Sequence, residues 1–129
     1  MFYLLRKHKL PVSGDIGCYS IGVLPPFTAM DALISMGASI GIMAGFNKAL
    51  GRKASAAVIG DSTFFHSGIT PLISAAYNES DGVVLILDNR TTAMTGHQEH
   101  PGTGRTLMGE PTICASVEEF GRACGMKNV

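Results

Sequence analysis

The sequence has no tryptophan and only three cysteines, Cys18, Cys114 and Cys124, among its 129 residues. None of them forms a C-x-x-C pair, which excludes zinc, iron–sulfur and dithiol-exchange sites of that form. They read as buried or free thiols of a reducing compartment. Charge of one sign is equally scarce: ten basic and ten acidic side chains cancel, so no polyanion surface and no nucleic-acid partner are expected. Long apolar runs are missing too. The uncharged stretch from Ile16 to Met30 is broken by Pro25 and Pro26, and the one from Ala32 to Phe46 falls short of the roughly 20 residues needed to cross a bilayer. Arg6, Lys7 and Lys9 lead into no hydrophobic region with a cleavage site, so neither a secretory signal nor a membrane span is expected, and a cytoplasmic location is. No G-x-G-x-x-G or Walker A pattern occurs, which removes the common nucleotide sites.

Glycine is what the chain has in excess. Sixteen glycines with 46% hydrophobic residues describe a compact α/β domain whose backbone passes close to something. Residues 2–10 read as the end of a helix or a linker entered mid-domain, and 1–129 as a single, partial domain. Val12 to Cys18 suits a short strand, and Ile21 to Phe27, with two prolines, a loop. Thr28 and Asp31 form a weak capping box that opens a helix expected from about Ala29 to Leu50 and closed by Gly51. Gly37, Gly41 and Gly45 inside it would each cost about 1 kcal/mol relative to alanine, so close packing or a ligand is expected to compensate. Ala54–Ile59 and Gly82–Leu87 are apolar runs of the buried parallel kind, and Ser67 to Tyr77 between them has helical spacing. That strand–helix–strand unit predicts a mostly parallel sheet in a three-layer α/β fold. Arg90 to Thr112 has little periodicity and is expected to be a functional loop, mobile without its ligand. Ser116 to Gly125 reads as a last helix capped by Ser116 with Glu119 three residues on.

Both apolar runs end in acid and amide groups: Gly60-Asp61-Ser62 and Asp88-Asn89. In an open parallel sheet, ligands bind beyond the carboxyl ends of the strands. One helix and one strand separate Asp61 from Asn89, which should bring them side by side. A carboxylate with an amide oxygen suits Mg²⁺ shared with phosphate oxygens, and a helix starting near Ser67 would add backbone N–H groups for the anion.

The motif Gly60-Asp61-Ser62 followed by Asp88-Asn89 resembles the thiamine diphosphate signature. With G-D-I-G-C-Y at 14–19, M-G-A-S-I-G at 36–41, G-D-S-T-F-F-H-S-G at 60–68, L-D-N-R-T-T-A-M-T-G at 87–96 and H-P-G-T-G at 100–104, the chain resembles the large subunit of indolepyruvate:ferredoxin oxidoreductases over about residues 12–105. The resemblance implies a thiamine-diphosphate-binding fold with Asp61 and Asn89 as side-chain Mg²⁺ ligands and Thr91 as a ligand through its carbonyl. Gly60, Ser62 and Thr63 would lie at the diphosphate, Thr95 and Gly96 would close over it within a cofactor-closing loop at 90–112, and Gly17 and Cys18 would line the cofactor. Met36, Gly37 and Ser39 would approach its rings. It further implies an enzyme that oxidatively decarboxylates aryl-pyruvates, with CoA taking the acyl group and ferredoxin the electrons. The partners would be the remaining domains of a large subunit, a small subunit, ferredoxin and, in isolation, further copies of this chain. Ser62 departs from the signature's usual glycine, and His97 stands where related oxidoreductases often have one. The family's activating glutamate and its iron–sulfur cysteines lie in other segments, so no catalytic residue is assigned here and the clusters belong to the complete enzyme.

Plainer readings stand beside these. Cys18 could be a small buried hydrophobe, and His66 a capping or core residue rather than a substrate contact. His97 and His100 lack a third metal ligand. Gly37-Ala38-Ser39-Ile40-Gly41 matches a nucleophile elbow, with Asp88 and His100 following in hydrolase order, but that needs a strand before Ser39 where helix is expected. A non-catalytic module of the same fold is the remaining alternative.

Overall fold

The computed structural model describes residues 1–51 and 55–129. Four strands, β1 (Val12–Gly14), β2 (Ala32–Leu33), β3 (Ala56–Gly60) and β4 (Val83–Leu87), form one sheet in the order β2-β1-β3-β4. Every pairing is parallel, as the strand–helix–strand pattern predicts. Ala54, the expected first residue of β3, lies outside the described residues.

Alternation along β3 builds two cores. Ala57 and Ile59 face helix α2 (Ala38–Leu50), the helical segment that follows β3, and α5 (Val117–Ala123), packing with Ile40, Met43, Phe64, Leu72 and Ala75. Ala56 and Val58 face the opposite side, where Leu5 of α1 (Phe2–His8), Val12 and Met30 cover them. Strand side chains point alternately to the two faces, so β3, buried at all five positions, is the central wall of three layers. β4 is an edge strand with Val83 exposed. Among the described residues no helix is long and apolar enough to cross a membrane.

The helix expected from Ala29 does not begin there. Val12 donates its N–H to the Asp31 carboxylate and Asp31 donates its own to the Val12 carbonyl, so Asp31 is engaged with β1 and cannot cap. Residues 32–33 then extend as β2, and α2 starts only at Ala38, after Gly37 at φ 85°. An opposite error occurs after β3. Helix begins at once with α3 (Asp61–Thr63), passes through a π turn at Phe64–Gly68 and continues as α4 (Ile69–Tyr77), six residues earlier than the spacing of apolar side chains indicates. The π turn breaks the 3.6-residue period that such spacing relies on. The loop at 90–112 contains turns at Ala93–Thr95 and Pro101–Thr103 and antiparallel bridges Thr92 to Gln98 and Arg105 to Pro111. Ser116 accepts from the Glu119 N–H at 3.2 Å and caps α5 as expected.

The glycines of α2 differ in role. A Cβ on Gly37 would lie 2.5 Å from Ser67 Oγ and 3.1 Å from the Ser67 carbonyl, at a left-handed φ. Gly41 and Gly45 face open space, so the close packing expected around them is absent within this chain. Gly37→Ala is therefore expected to destabilise the fold by about 1–3 kcal/mol, and Gly45→Ala to stabilise it by about 0.5–1 kcal/mol. Thermal denaturation of the two variants checks both signs.

Candidate cofactor site

β1 and β3 are neighbours, yet the chain leaves β1 toward β2 on one side and β3 toward β4 on the other. The crevice outside their carboxyl ends is the switch point where open α/β sheets bind ligands. Each strand ends there in Gly-Asp: Gly14-Asp15 and Gly60-Asp61. The two carboxylates have different tasks. Asp15, fully buried, accepts from the N–H groups of Ile16 (3.0 Å), Gly37 (2.7 Å) and Ser39 (3.2 Å), and so caps the start of α2 from across the crevice. Its acceptor capacity is directed at backbone, leaving it structural.

Asp61 is the first residue of helix and is buried. Its Oδ1 accepts from Ser62 N–H at 2.8 Å, and its Oδ2 accepts from Arg90 N–H at 2.8 Å and pairs with His100 Nε2 at 3.1 Å. The Arg90 bond folds the loop after β4 onto Asp61, and Asn89 and Thr91 flank Arg90 in that loop. Asn89 is exposed and its Oδ1 accepts from Thr91 N–H. Ser62 Oγ and Thr92 Oγ1, 2.7 Å apart, tie the two strand ends together a second time. Thr63 is buried one residue further on.

The donor set tests whether magnesium fits. Within 4 Å of the buried Asp61 carboxylate the one charged-type partner among the described residues is His100. The strand-end segments beside it carry the Asn89 amide oxygen, which accepts from Thr91 N–H, and the paired hydroxyls of Ser62 and Thr92. No group of three His, Cys, Asp or Glu side chains suited to a metal occurs among the described residues; the chemistry is that of one carboxylate with neutral oxygens, which matches Mg²⁺ completed by phosphate and water. The residues present fit the group.

The remaining expected contacts are spread more widely. Gly17 and Cys18 follow β1, Gly17 donating to Ser20 Oγ and Cys18 lying exposed at the start of a turn, not buried. Gly17 and Gly60 both lie against the Tyr19 ring, which a Cβ on Gly17 would overlap and one on Gly60 would crowd at 3.0 Å. Its hydroxyl accepts from Gly60 N–H at 2.8 Å. Burial, together with Asp15 and Asp61 nearby, pushes the Tyr19 phenol up to about 12, so it stays neutral beside the two carboxylates. Met36 is about half exposed and Gly37 stands at the α2 start. Thr95 bonds Gln98, and Gly96 at φ 118° ends the turn at 93–95; both are exposed, and no bond joins them to Asp61. His66 is exposed in the π turn. His97 is exposed at φ 62°, a left-handed conformation that favours the glycine it replaces.

Ser39 is fully buried and its Oγ has no partner. A short strand does precede it, contrary to the expectation of helix, yet the hydrolase reading fails on other grounds. The hydroxyl cannot meet a substrate, and His100 is committed on both ring nitrogens, to Asp61 and to Gly102 N–H.

Asp15, Tyr19 and His100 are the residues that spacing alone missed. The repeated Gly-Asp at 14–15 and 60–61 was the available signal for the first; the partners of the other two lie 41 and 39 positions away.

The sheet is open and parallel, and its buried, loop-clasped Asp61 carboxylate lies at the strand ends, where such α/β folds bind ligands. The chain belongs to the thiamine pyrophosphate enzyme family, matching its C-terminal TPP binding domain over residues 15–129. It is similar to proteins named indolepyruvate oxidoreductase subunit IorA: 47% identical to that of Methanothermobacter marburgensis over all of this chain and 22% of the relative, and 50% identical to that of Archaeoglobus fulgidus over 99% of this chain and 21% of the relative. The Pyrococcus abyssi protein of the same name is 45% identical over 96% of the chain. The chain thus spans about a fifth of the length of the curated relatives it matches.

Proposed function

We propose that this chain binds thiamine diphosphate with Mg²⁺ at the carboxyl ends of β3 and β4, as the cofactor domain of a cytoplasmic enzyme that oxidatively decarboxylates indolepyruvate-type 2-oxoacids. The observation that carries the reading is the buried Asp61 carboxylate with the 89–92 segment folded onto it through the Arg90 N–H. Asp61 and Asn89 hold the metal through side chains and Thr91 through its carbonyl. Ser62 and Thr63 offer N–H and hydroxyl groups at a helix start to the diphosphate. Thr95 and Gly96, in the 90–112 loop, close over it. Gly17, Cys18, Met36 and Gly37 border the crevice on the β1 side, and Ser39 supports that side from within through its N–H bond to Asp15. The bound cofactor supplies the nucleophilic carbon for decarboxylation; the residues here bind, orient and shield it.

The relatives' names point to indolepyruvate as the substrate of the complete enzyme, and the family resemblance implies that electrons pass through iron–sulfur clusters outside this chain to ferredoxin and that CoA takes the acyl group. The other domains of the large subunit and a small subunit are its partners. Viologen dye reduction by the intact enzyme, dependent on CoA, is expected to run faster with indolepyruvate than with pyruvate. Equal or faster reduction with pyruvate would move the substrate assignment to another 2-oxoacid.

A further inference from the structure

We infer that His100 is a positioning residue for Asp61, setting the orientation of the carboxylate that meets the metal; this rests on the reading that Asp61 is a Mg²⁺ ligand. The His100 and Asp61 side chains are each only 4% exposed, with Nε2 3.1 Å from Oδ2. The tautomer is fixed by the other nitrogen. Gly102 N–H, which can only donate, points at Nδ1 at 3.1 Å, so Nδ1 accepts and the proton on Nε2 is given to Asp61.

The ring sits in a built slot. It stacks on Phe65 at 5.8 Å and 29°, and Phe65 meets Phe120 of α5 edge-on at 5.9 Å. A Cβ on Gly102 would lie 2.7 Å from the Phe65 ring and 3.1 Å from His100 Cε1, so glycine there is what lets the imidazole lie flat. Oδ2 already accepts two N–H groups, from Arg90 and His100, whereas Oδ1 accepts one, from Ser62. Two donors on one oxygen prevent the carboxylate from turning and leave Oδ1 as the oxygen with capacity for a cation. His100 ties the later part of the 90–112 loop to Asp61 itself, in addition to the Thr92 contact with Ser62, so the order of that loop and the orientation of Asp61 are set together.

The test is calorimetric titration of thiamine diphosphate and MgCl₂ into the intact protein and its variants, with circular dichroism reporting folding. His100→Ala should weaken Mg²⁺-dependent binding by about 10- to 100-fold, the usual loss when a group orienting a metal ligand is removed. His100→Gln, which keeps an N–H donor at similar reach, should recover most of that loss. Gly102→Ala should weaken binding with the imidazole retained, because the ring is displaced. A merely structural role would lower thermal stability in all three without separating Gln from Ala. Binding by folded His100→Ala as tight as the parent's, or a folded Gln variant as weak as Ala, overturns the inference alone. Should His100→Ala fail to fold, unchanged binding by Gly102→Ala overturns it. Absence of Mg²⁺-dependent binding in the parent overturns the site reading beneath it as well.

Discussion

Asp61→Ala is expected to abolish measurable thiamine diphosphate binding in the presence of Mg²⁺. The substitution removes the one buried carboxylate open to the crevice and leaves the N–H groups of Ser62 and Arg90 and the Nε2–H of His100 without their acceptor. Metal coordination and the clasp that holds the 89–92 segment are lost together, so the effect should exceed the tenfold to hundredfold loss typical of a supporting group. Asp15 cannot substitute, since its oxygens are occupied by the start of α2. The readout is calorimetry on folded protein. Parent-like affinity in the variant would place the metal elsewhere.

The second large effect is an absence. The 129 residues alone, saturated with cofactor and Mg²⁺, are expected to give no indolepyruvate- and CoA-dependent reduction of a viologen dye. The family resemblance implies an activating glutamate at the aminopyrimidine ring that lies in another segment; of the glutamates here, Glu99 and Glu110 lie in the 90–112 loop, and Glu118 lines the same cavity as Asp61. Glu79 lies in the turn before β4, and Glu118 and Glu119 form the first turn of α5. The buried acids, Asp15 and Asp61, already have other roles. Electron transfer is missing for a simpler reason, because three cysteines cannot supply the four thiolates of a cluster. Turnover that survived further purification would show that a complete site exists within these residues.

How much of this could be read in advance follows the range of the interactions. β3 was legible because a strand buried on both faces must be apolar throughout, β4 because its run is apolar although it lies half-buried at the sheet edge, and the strand-end positions of Asp61 and Asn89 because a parallel unit returns each strand end to the same side. The cap of α5 is local, Ser116 to Glu119, and was legible for that reason. β2 was not: two residues are held extended by Asp31 bonding Val12, nineteen positions back, while their own apolar and small neighbours favour helix. The first turns after β3 were hidden by the π turn at 64–68. At the site, the placement of Gly60-Asp61 and Asp88-Asn89 at strand ends was legible, but the division of labour among the buried acids was not. Nothing in the spacing separates Asp15, which caps a helix, from Asp61, which faces the crevice, or shows that Gly17 and Gly60 accommodate Tyr19.

The central claim is that the strand ends of β3 and β4 hold a diphosphate through a magnesium ion. Its most direct test compares the binding of thiamine diphosphate and of unphosphorylated thiamine, each with Mg²⁺ and with EDTA. Binding of thiamine diphosphate with Mg²⁺ only, and much weaker binding of thiamine under either condition, is the expected result. Thiamine diphosphate binding undiminished by EDTA, or equal affinity for thiamine, would contradict it.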